Sequence, residues 1–214
     1  MVVLEVRNLT SDHEIKVELC LTMKELYAER ILTDVGGNLS FRSEEDDQNF
    51  WITPSGLKKN LVEPKHLIQM SMEGKVMNED SESIPSIEWP MHLRVFQEDE
   101  DFKAIIHSHA PLATAFSVLK DPPEIPSLTA ELSFLVPEII IVPYEQSGSK
   151  ELGEAVADKL WDSSILILEN HGVLAVGETF RDAAIKTRAL EEFLRLYLNA
   201  KQFGGELRMF PGFD

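Results

Sequence analysis

The 214-residue sequence predicts a single α/β domain built around a central, covered sheet. Three observations lead there. Short apolar runs of strand length alternate with amphipathic helical stripes along the whole chain. Capping and turn residues punctuate the junctions between them. No repeat, low-complexity segment or long linker divides the chain, whose length suits one sizeable core.

Ser11 to Glu14 has the S-x-x-E form of a capping box, and Leu19, Met23, Leu26 and Tyr27 continue it as a helical stripe. The alternation Ile15, Val17, Leu19, Leu21 competes as a strand. After "DVGG" come two strand-like runs, "NLSFR" and "NFWIT", separated by the acidic loop "SEEDDQ". "TPSG" is a turn signal, and "HLIQMSM" and "KVM" flank a Glu-Gly turn. "IEWPMHLRVFQ" predicts a helix with Pro90 in its first turn. "KAIIHSH" reads as a short buried strand. "PLATAFSVL" reads as a helix opening on Pro111, with Leu112, Ala115, Phe116 and Leu119 on one face. "EIIIVPY" is another buried strand, followed from about Lys150 by a helix carrying Leu152, Val156 and Leu160. "SILILENHGVLAVG" predicts a hairpin around Asn-His-Gly. Thr179 caps a long last helix that stops at Gly204-Gly205.

Composition narrows the function classes. Hydrophobic residues make up 43% of the chain and charged residues 27%, as in a soluble globular protein. With 37 acidic against 20 basic residues, the formal charge of −17 repels nucleic acid and anionic membrane, so neither is an expected partner. A phosphorylated substrate meets the same field, so its site needs positive potential supplied locally. The single cysteine, Cys20, excludes an internal disulfide framework and fits a reducing cytoplasm. No apolar run approaches the roughly 18 residues of a membrane span. The start "MVVLEVRNLTSDHE" lacks a charged segment ahead of a long apolar one, so no signal peptide is expected. The expected location is cytoplasmic.

The chemistry gathers in "FKAIIHSHAPLATAF". Residues i and i+2 of a strand share a face, so His107 and His109 project together from a strand end. Two such histidines can equally be hydrogen-bonded residues at a sheet edge. His171, at the tip of another apolar strand pair beside Gly172, shifts the balance towards a metal site with an open position, the pattern of catalytic zinc. Glu88 lies early in an amphipathic helix, where a carboxylate can simply complement the helix dipole. His92 competes as a ligand by position, while His13 and His66 sit in polar surroundings and are expected to be solvated.

The ordered set "GGNLS", "ITPSG", "SIEWPMH", "HSHAP" and "NHGVLAVG" resembles the class II aldolase/adducin family from about residue 15 to 200. Within it the likeness is strongest to the aldolases that act on L-fuculose phosphate. The resemblance implies a three-layer α/β/α sandwich around a mostly antiparallel sheet, with residues 1–214 forming one such domain. It implies a cyclic homotetramer with sites between neighbouring subunits. It assigns His107, His109 and His171 to one Zn2+ per subunit. Glu88 becomes the acid/base that also touches the metal when the site is empty, and His92 has no such role. Imidazole ligands suit Mn2+, Co2+ or Fe2+ as well.

The implied reaction is reversible retro-aldol cleavage of a small ketose phosphate to dihydroxyacetone phosphate and an aldehyde. A divalent cation stabilises the enediolate electrostatically, and no lysine in the motif cluster demands a Schiff-base role. For the phosphate, Gly37 and Asn38 of "GGNLS", Thr53, Ser55 and Gly56 of "TPSG", and Ser86 form the expected cradle. Lys58 and Lys59 are candidates to add charge there, with a solvated role the stronger expectation. The sequence departs from those aldolases at three places: Ile87 replaces a second serine, Ala130 falls near an expected tyrosine, and Phe203 falls near another. Three alternatives stay open: a sugar-phosphate epimerase, a dehydratase of the same family, and a non-catalytic adducin-like binding module. The apolar tail after Gly205, with Met209, Phe210 and Phe213, fits burial against a neighbouring subunit.

Overall fold

A strand of three to six residues buries little by itself, so these short strands need neighbours on both sides and cover on both faces. The computed structural model describes residues 11–78 and 83–212, so most of the N-terminal segment read for a signal peptide, and Phe213, lie outside the described residues. The strands are β1 (Asn38–Arg42), β2 (Asn49–Ile52), β3 (Ile68–Ser71), β4 (Ala104–Ser108), β5 (Ile140–Val142), β6 (Ile165–Leu168) and β7 (Gly172–Gly177). They form one sheet in the order β3-β2-β1-β4-β7-β6-β5. All pairings are antiparallel except that of β5 with β6.

Period-two alternation sorts the strand side chains into two cores. Leu39, Phe41, Ala104, Ile106, Ile165, Ile167, Val173 and Ala175 face one way. That face is covered by α1 (Asp12–Ala28), α3 (Pro111–Ser117), α4 (Ala130–Leu135) and α6 (Phe180–Phe203). Phe50, Ile52, Ile105, Leu166, Leu168, Leu174 and Val176 face the other way, under α2 (Trp89–Glu98) and α5 (Lys150–Leu160). The result is the expected three-layer α/β/α sandwich with a mostly antiparallel centre. Each fully buried large apolar side chain contributes about 1.5–3 kcal/mol, and the sheet shares that gain between both faces.

The caps fall where the sequence puts them. Ser11 accepts from the backbone N–H of Glu14 and Thr179 from that of Asp182, and Ser149, not singled out in the sequence, caps α5 by accepting from Leu152. The last helix ends at Gly204 with a left-handed φ of 79°. Val17 and Leu21 are exposed while Leu19, Met23 and Leu26 are buried, so the helical period decides α1 against the strand alternative.

Four expectations need correction. In α3 the buried face is Ala113, Phe116 and Ser117; Leu112 is only half-buried, and Ala115 and Leu119 are exposed. The cause is Glu191 of α6, whose buried carboxylate accepts from the N–H groups of Leu112 and Ala113 at 3.0 and 3.2 Å and sets the helix's rotation. Strand β5 is a three-residue edge strand, half-buried at Ile140 and Ile141 rather than enclosed. "KVM" adds only a single bridge, Val76 to Met70. Helix α4 carried no periodic signal in its six residues and was not expected.

Candidate metal and acid–base site

Strands β1, β4 and β7 are neighbours at the centre of the sheet, and their pairing builds the site. Asn38 opens β1 directly opposite His107, and Ser108 at the end of β4 lies opposite Val173 near the start of β7. Antiparallel pairing therefore brings the residue after β4, His109, and the residue before β7, His171, to one end of the sheet. His107 shares its face with Ile105 and points towards the α2 layer. The three rings form a triangle with centroids 5.1, 4.7 and 5.4 Å apart. One ring nitrogen from each lies within 4.8 Å of the others.

Two glycines make this approach possible. A Cβ on Gly172 would lie 2.4 Å from the Ser108 carbonyl oxygen and 2.9 Å from the His109 ring. Gly37 has φ +90°, and a Cβ there would lie 2.9 Å from the His107 carbonyl oxygen. In the turn before Gly172, Asn170 takes the left-handed conformation, which asparagine tolerates better than most residues.

The donor set fits a cation. His107 donates from Nδ1 to the Val173 carbonyl at 2.9 Å, which leaves Nε2 as the site-facing nitrogen. That Nε2 lies 3.2 Å from Nε2 of His109 and 3.2 Å from Oε2 of Glu88. Nε2 of His171 lies 3.0 Å from Oε1 of the same carboxylate. Three imidazole nitrogens and a carboxylate thus converge on one spot, a donor set that suits a divalent cation. Burial, then the charges of His107 and His171, push the His109 imidazole down to about 4, so it is a neutral donor near pH 7.

Glu88 sits at the N-cap of α2 and is buried. Burial alone would push its carboxyl up. The charge and hydrogen bond of His107, with the hydrogen bonds of His171 and Ser147, more than offset that and hold it well below the usual carboxylate range. Ser147, on the loop between β5 and α5, donates its hydroxyl to Oε1 at 2.7 Å. Asn38 donates from Nδ2 to Oε2, also at 2.7 Å. His92 takes no part in the imidazole triangle. It is fully buried, bonded through Nε2 to Oδ1 of Asn38 and through Nδ1 to the Ser40 hydroxyl at 2.6 Å. Burial pushes it down to about 3, so it is neutral. Because Asn38 donates to Glu88, its oxygen must face His92, which fixes the imidazole tautomer: Nε2 carries the hydrogen and Nδ1 accepts from Ser40. The side-chain amide of Asn38, expected to face an anion, is thereby committed to Glu88.

The three loops read as a phosphate cradle meet beside this carboxylate. Thr53 accepts the Leu39 N–H on its hydroxyl and the Ser86 N–H on its carbonyl, at 3.2 and 3.1 Å. Ser86 accepts the Glu88 N–H, and Ser55 donates its N–H to the Ile84 carbonyl at 2.9 Å. Gly56 has open space where a Cβ would stand. Lys58 behaves as expected, exposed and paired with Asp34 at 3.2 Å. Lys59 does not: it is only 3% exposed. Sequence reasoning missed Ser147 and the buried state of Lys59, and neither carries a motif. His92 had a signal, one helical turn from Glu88 on the same face.

Residues 17–198 match the family described as class II aldolase and adducin N-terminal domain. The chain belongs to the class II aldolase and adducin family. Its likeness is to the enzymes of that family, so it is a class II aldolase, a carbon–carbon lyase. An L-fuculose phosphate aldolase of Methanococcus maripaludis is 33% identical over 171 residues, covering 80% of this chain and 89% of that one. A 3-oxo-tetronate 4-phosphate decarboxylase of Haemophilus influenzae is 32% identical, covering 84% and 85%. The solved structure of an L-fuculose 1-phosphate aldolase superimposes with a TM-score of 0.83 at 30% identity, covering 94% of this aldolase and 92% of that chain. No helix among the described residues of this class II aldolase is long and apolar enough to cross a membrane.

Proposed function

We propose that this class II aldolase cleaves a small ketose phosphate, L-fuculose-phosphate-like, into dihydroxyacetone phosphate and an aldehyde, reversibly, in the cytoplasm. The observation that carries this reading is the convergence of His107, His109 and His171 on the buried carboxylate of Glu88. The three imidazoles hold one divalent cation per subunit, Zn2+ foremost. When bound, such a cation supplies Lewis-acid stabilisation of the negative charge that develops on the ketose oxygens.

The chain's own residues do the rest. Glu88 shuttles a proton: it takes one from the hydroxyl whose carbon becomes the aldehyde and returns it to the carbon left behind. The Asn38–His92–Ser40 chain and Ser147 aim that carboxylate. Gly37, Thr53, Ser55, Gly56 and Ser86 receive the phosphate, and Asn38 borders them. A screen of ketose 1-phosphates, read by release of dihydroxyacetone phosphate, is expected to find at least one chelator-sensitive substrate. Silence across the panel from metal-loaded protein would sink the reading. A second reading, decarboxylation of a 3-oxo acid phosphate, rests on the similarity to the Haemophilus decarboxylase. Carbon dioxide release without an aldehyde product is its signature.

The working unit is a homo-oligomer, a tetramer by family likeness. Phe203 is 92% exposed at the end of α6, Met209 is exposed beyond it, and Ile87, next to Glu88, is 65% exposed. Burial of such surface stabilises by about 25 cal/mol per Å2 of apolar area. The tail also touches its own subunit, where the Phe210 N–H donates to the Ser127 carbonyl at 2.8 Å. Truncation after Gly205 is expected to cut turnover more than metal content. A fully active monomer by sedimentation at micromolar concentration contradicts the oligomer.

A further inference from the structure

Lys59 is the only buried lysine among the described residues, and it has no ion pair or hydrogen bond for its ammonium among them. Its backbone is pinned. The residue opens a 3-10 turn, Lys59–Leu61, and its N–H donates to the Asp34 carbonyl at 3.3 Å. The carboxylate of that same Asp34 is already spent on the Tyr27 hydroxyl at 2.6 Å and on Lys58, and that of Glu63, four residues on, is paired with Lys65. A lysine only 3% exposed whose ammonium has no ion pair is a costly arrangement, and on a chain of net charge −17 carboxylates to pair with it are plentiful. Only the charge of Glu88, with which it makes no ion pair, offsets the cost.

Its surroundings say what it waits for. Lys59 follows the Thr53–Gly56 turn and is tied to the loop that runs through Gly36 and Gly37 into Asn38. The charge of Lys59 acts on His109, and that of Glu88 acts on Lys59, so its ammonium lies within electrostatic reach of the reaction site. The cradle loops otherwise offer only neutral hydroxyls and backbone amides. On so acidic a protein these do not by themselves supply the positive potential that a dianion requires.

We propose that Lys59 is the cationic contact for the substrate's phosphate, the charge that completes the cradle formed by residues 36–38, 53–56 and 84–86. The proposal rests on the reading of the substrate as a sugar phosphate. Binding of a phosphate group gives the ammonium its missing partner and lets a neutral cradle discriminate phosphorylated from free sugars.

The test uses metal-loaded, full-length protein and inorganic phosphate as the probe. By calorimetry, Lys59→Met is expected to weaken phosphate binding roughly tenfold to a hundredfold, the range for a hydrogen bond to a charged group. Lys59→Arg is expected to retain binding within a few-fold, and metal content is unchanged in both. In turnover the loss falls on KM for the ketose phosphate rather than on kcat. Phosphate binding unaltered in Lys59→Met overturns the proposal, as does loss of acetate binding with phosphate binding intact. A covalent adduct at Lys59 trapped by borohydride in the presence of dihydroxyacetone also overturns it, in favour of imine chemistry. Should Lys59→Met fail to fold, acetic anhydride labelling of the wild type decides: inorganic phosphate must shield Lys59, and absence of shielding overturns the proposal. Phosphate binding does not require turnover. If Lys59 governs it but no ketose phosphate is cleaved, the proposed reaction fails and the anion contact stands.

Discussion

Replacing His109 with alanine is expected to strip most of the bound divalent metal while leaving helix content near that of the wild type. His109 is a half-buried residue just beyond β4, outside both hydrophobic cores, so its loss removes a donor without opening a core cavity. Losing one of three protein donors from an open site forfeits a large share of the binding free energy, because each imidazole would supply one of only three metal–nitrogen bonds. His107 is a poorer choice for the same test. It is fully buried and bonded to Val173, so its removal damages the packing between β4 and β7 as well. Metal analysis of dialysed protein, with far-ultraviolet circular dichroism beside it, reads both quantities. Full occupancy in the His109→Ala protein excludes the imidazole triangle as the metal centre.

Glu88→Gln is expected to lower kcat by roughly 10²–10⁴-fold, the range supplied by positioned acid–base catalysis, with metal retained. Glutamine keeps the shape and one acceptor oxygen but carries no negative charge and accepts no proton. It also places an amide against donors that now point at oxygens, Asn38 Nδ2 on one side and the Ser147 hydroxyl on the other. The substitution thus disturbs the aim of the group as well as its basicity. Helix α2 is unaffected at its first turn, because the Glu88 side chain makes no capping bond there. Activity within about twofold of the wild type assigns the proton transfer to another group.

The fold was readable because most elements carry redundant local signals. Ser11, Ser149 and Thr179 stand ahead of their helices, and the near-continuous apolar runs in "AIIHS" and "GVLAVG" fit strands buried on both faces. What escaped had no periodicity or was decided by tertiary contacts. Six residues are too few to show a helical stripe in α4, and the rotation of α3 is set by Glu191, far along the chain. The site divides the same way. His107 and His109 are visible from a two-residue spacing, and His171 from its turn chemistry, because each stands where a strand pattern stops. The motifs "GGNLS" and "TPSG" point to converging loops. No spacing could say that Asn38 would turn to Glu88, that His92 would hold it there, or that Ser147 would reach the same carboxylate from another loop. Lys58 and Lys59 are adjacent and identical in type, yet one is solvated and the other buried. Only the 3-10 turn that separates their directions distinguishes them.

The placement of the imidazole triangle at the junction of β1, β4 and β7 has a consequence for synthesis on the ribosome. Asn38, Glu88, His107 and His109 have emerged soon after the midpoint of the chain, but His171 arrives only with the β6–β7 hairpin. Strand β7 must then insert between β4 and β6 before the third nitrogen reaches the others. Such pairings between distant segments form late and slowly compared with local helices. A chain that ends before β7 therefore displays at most two of the three histidines, and the donors come together only once the middle of the sheet has closed. Metal binding at the three imidazoles is thereby expected to follow closure of the sheet rather than precede it.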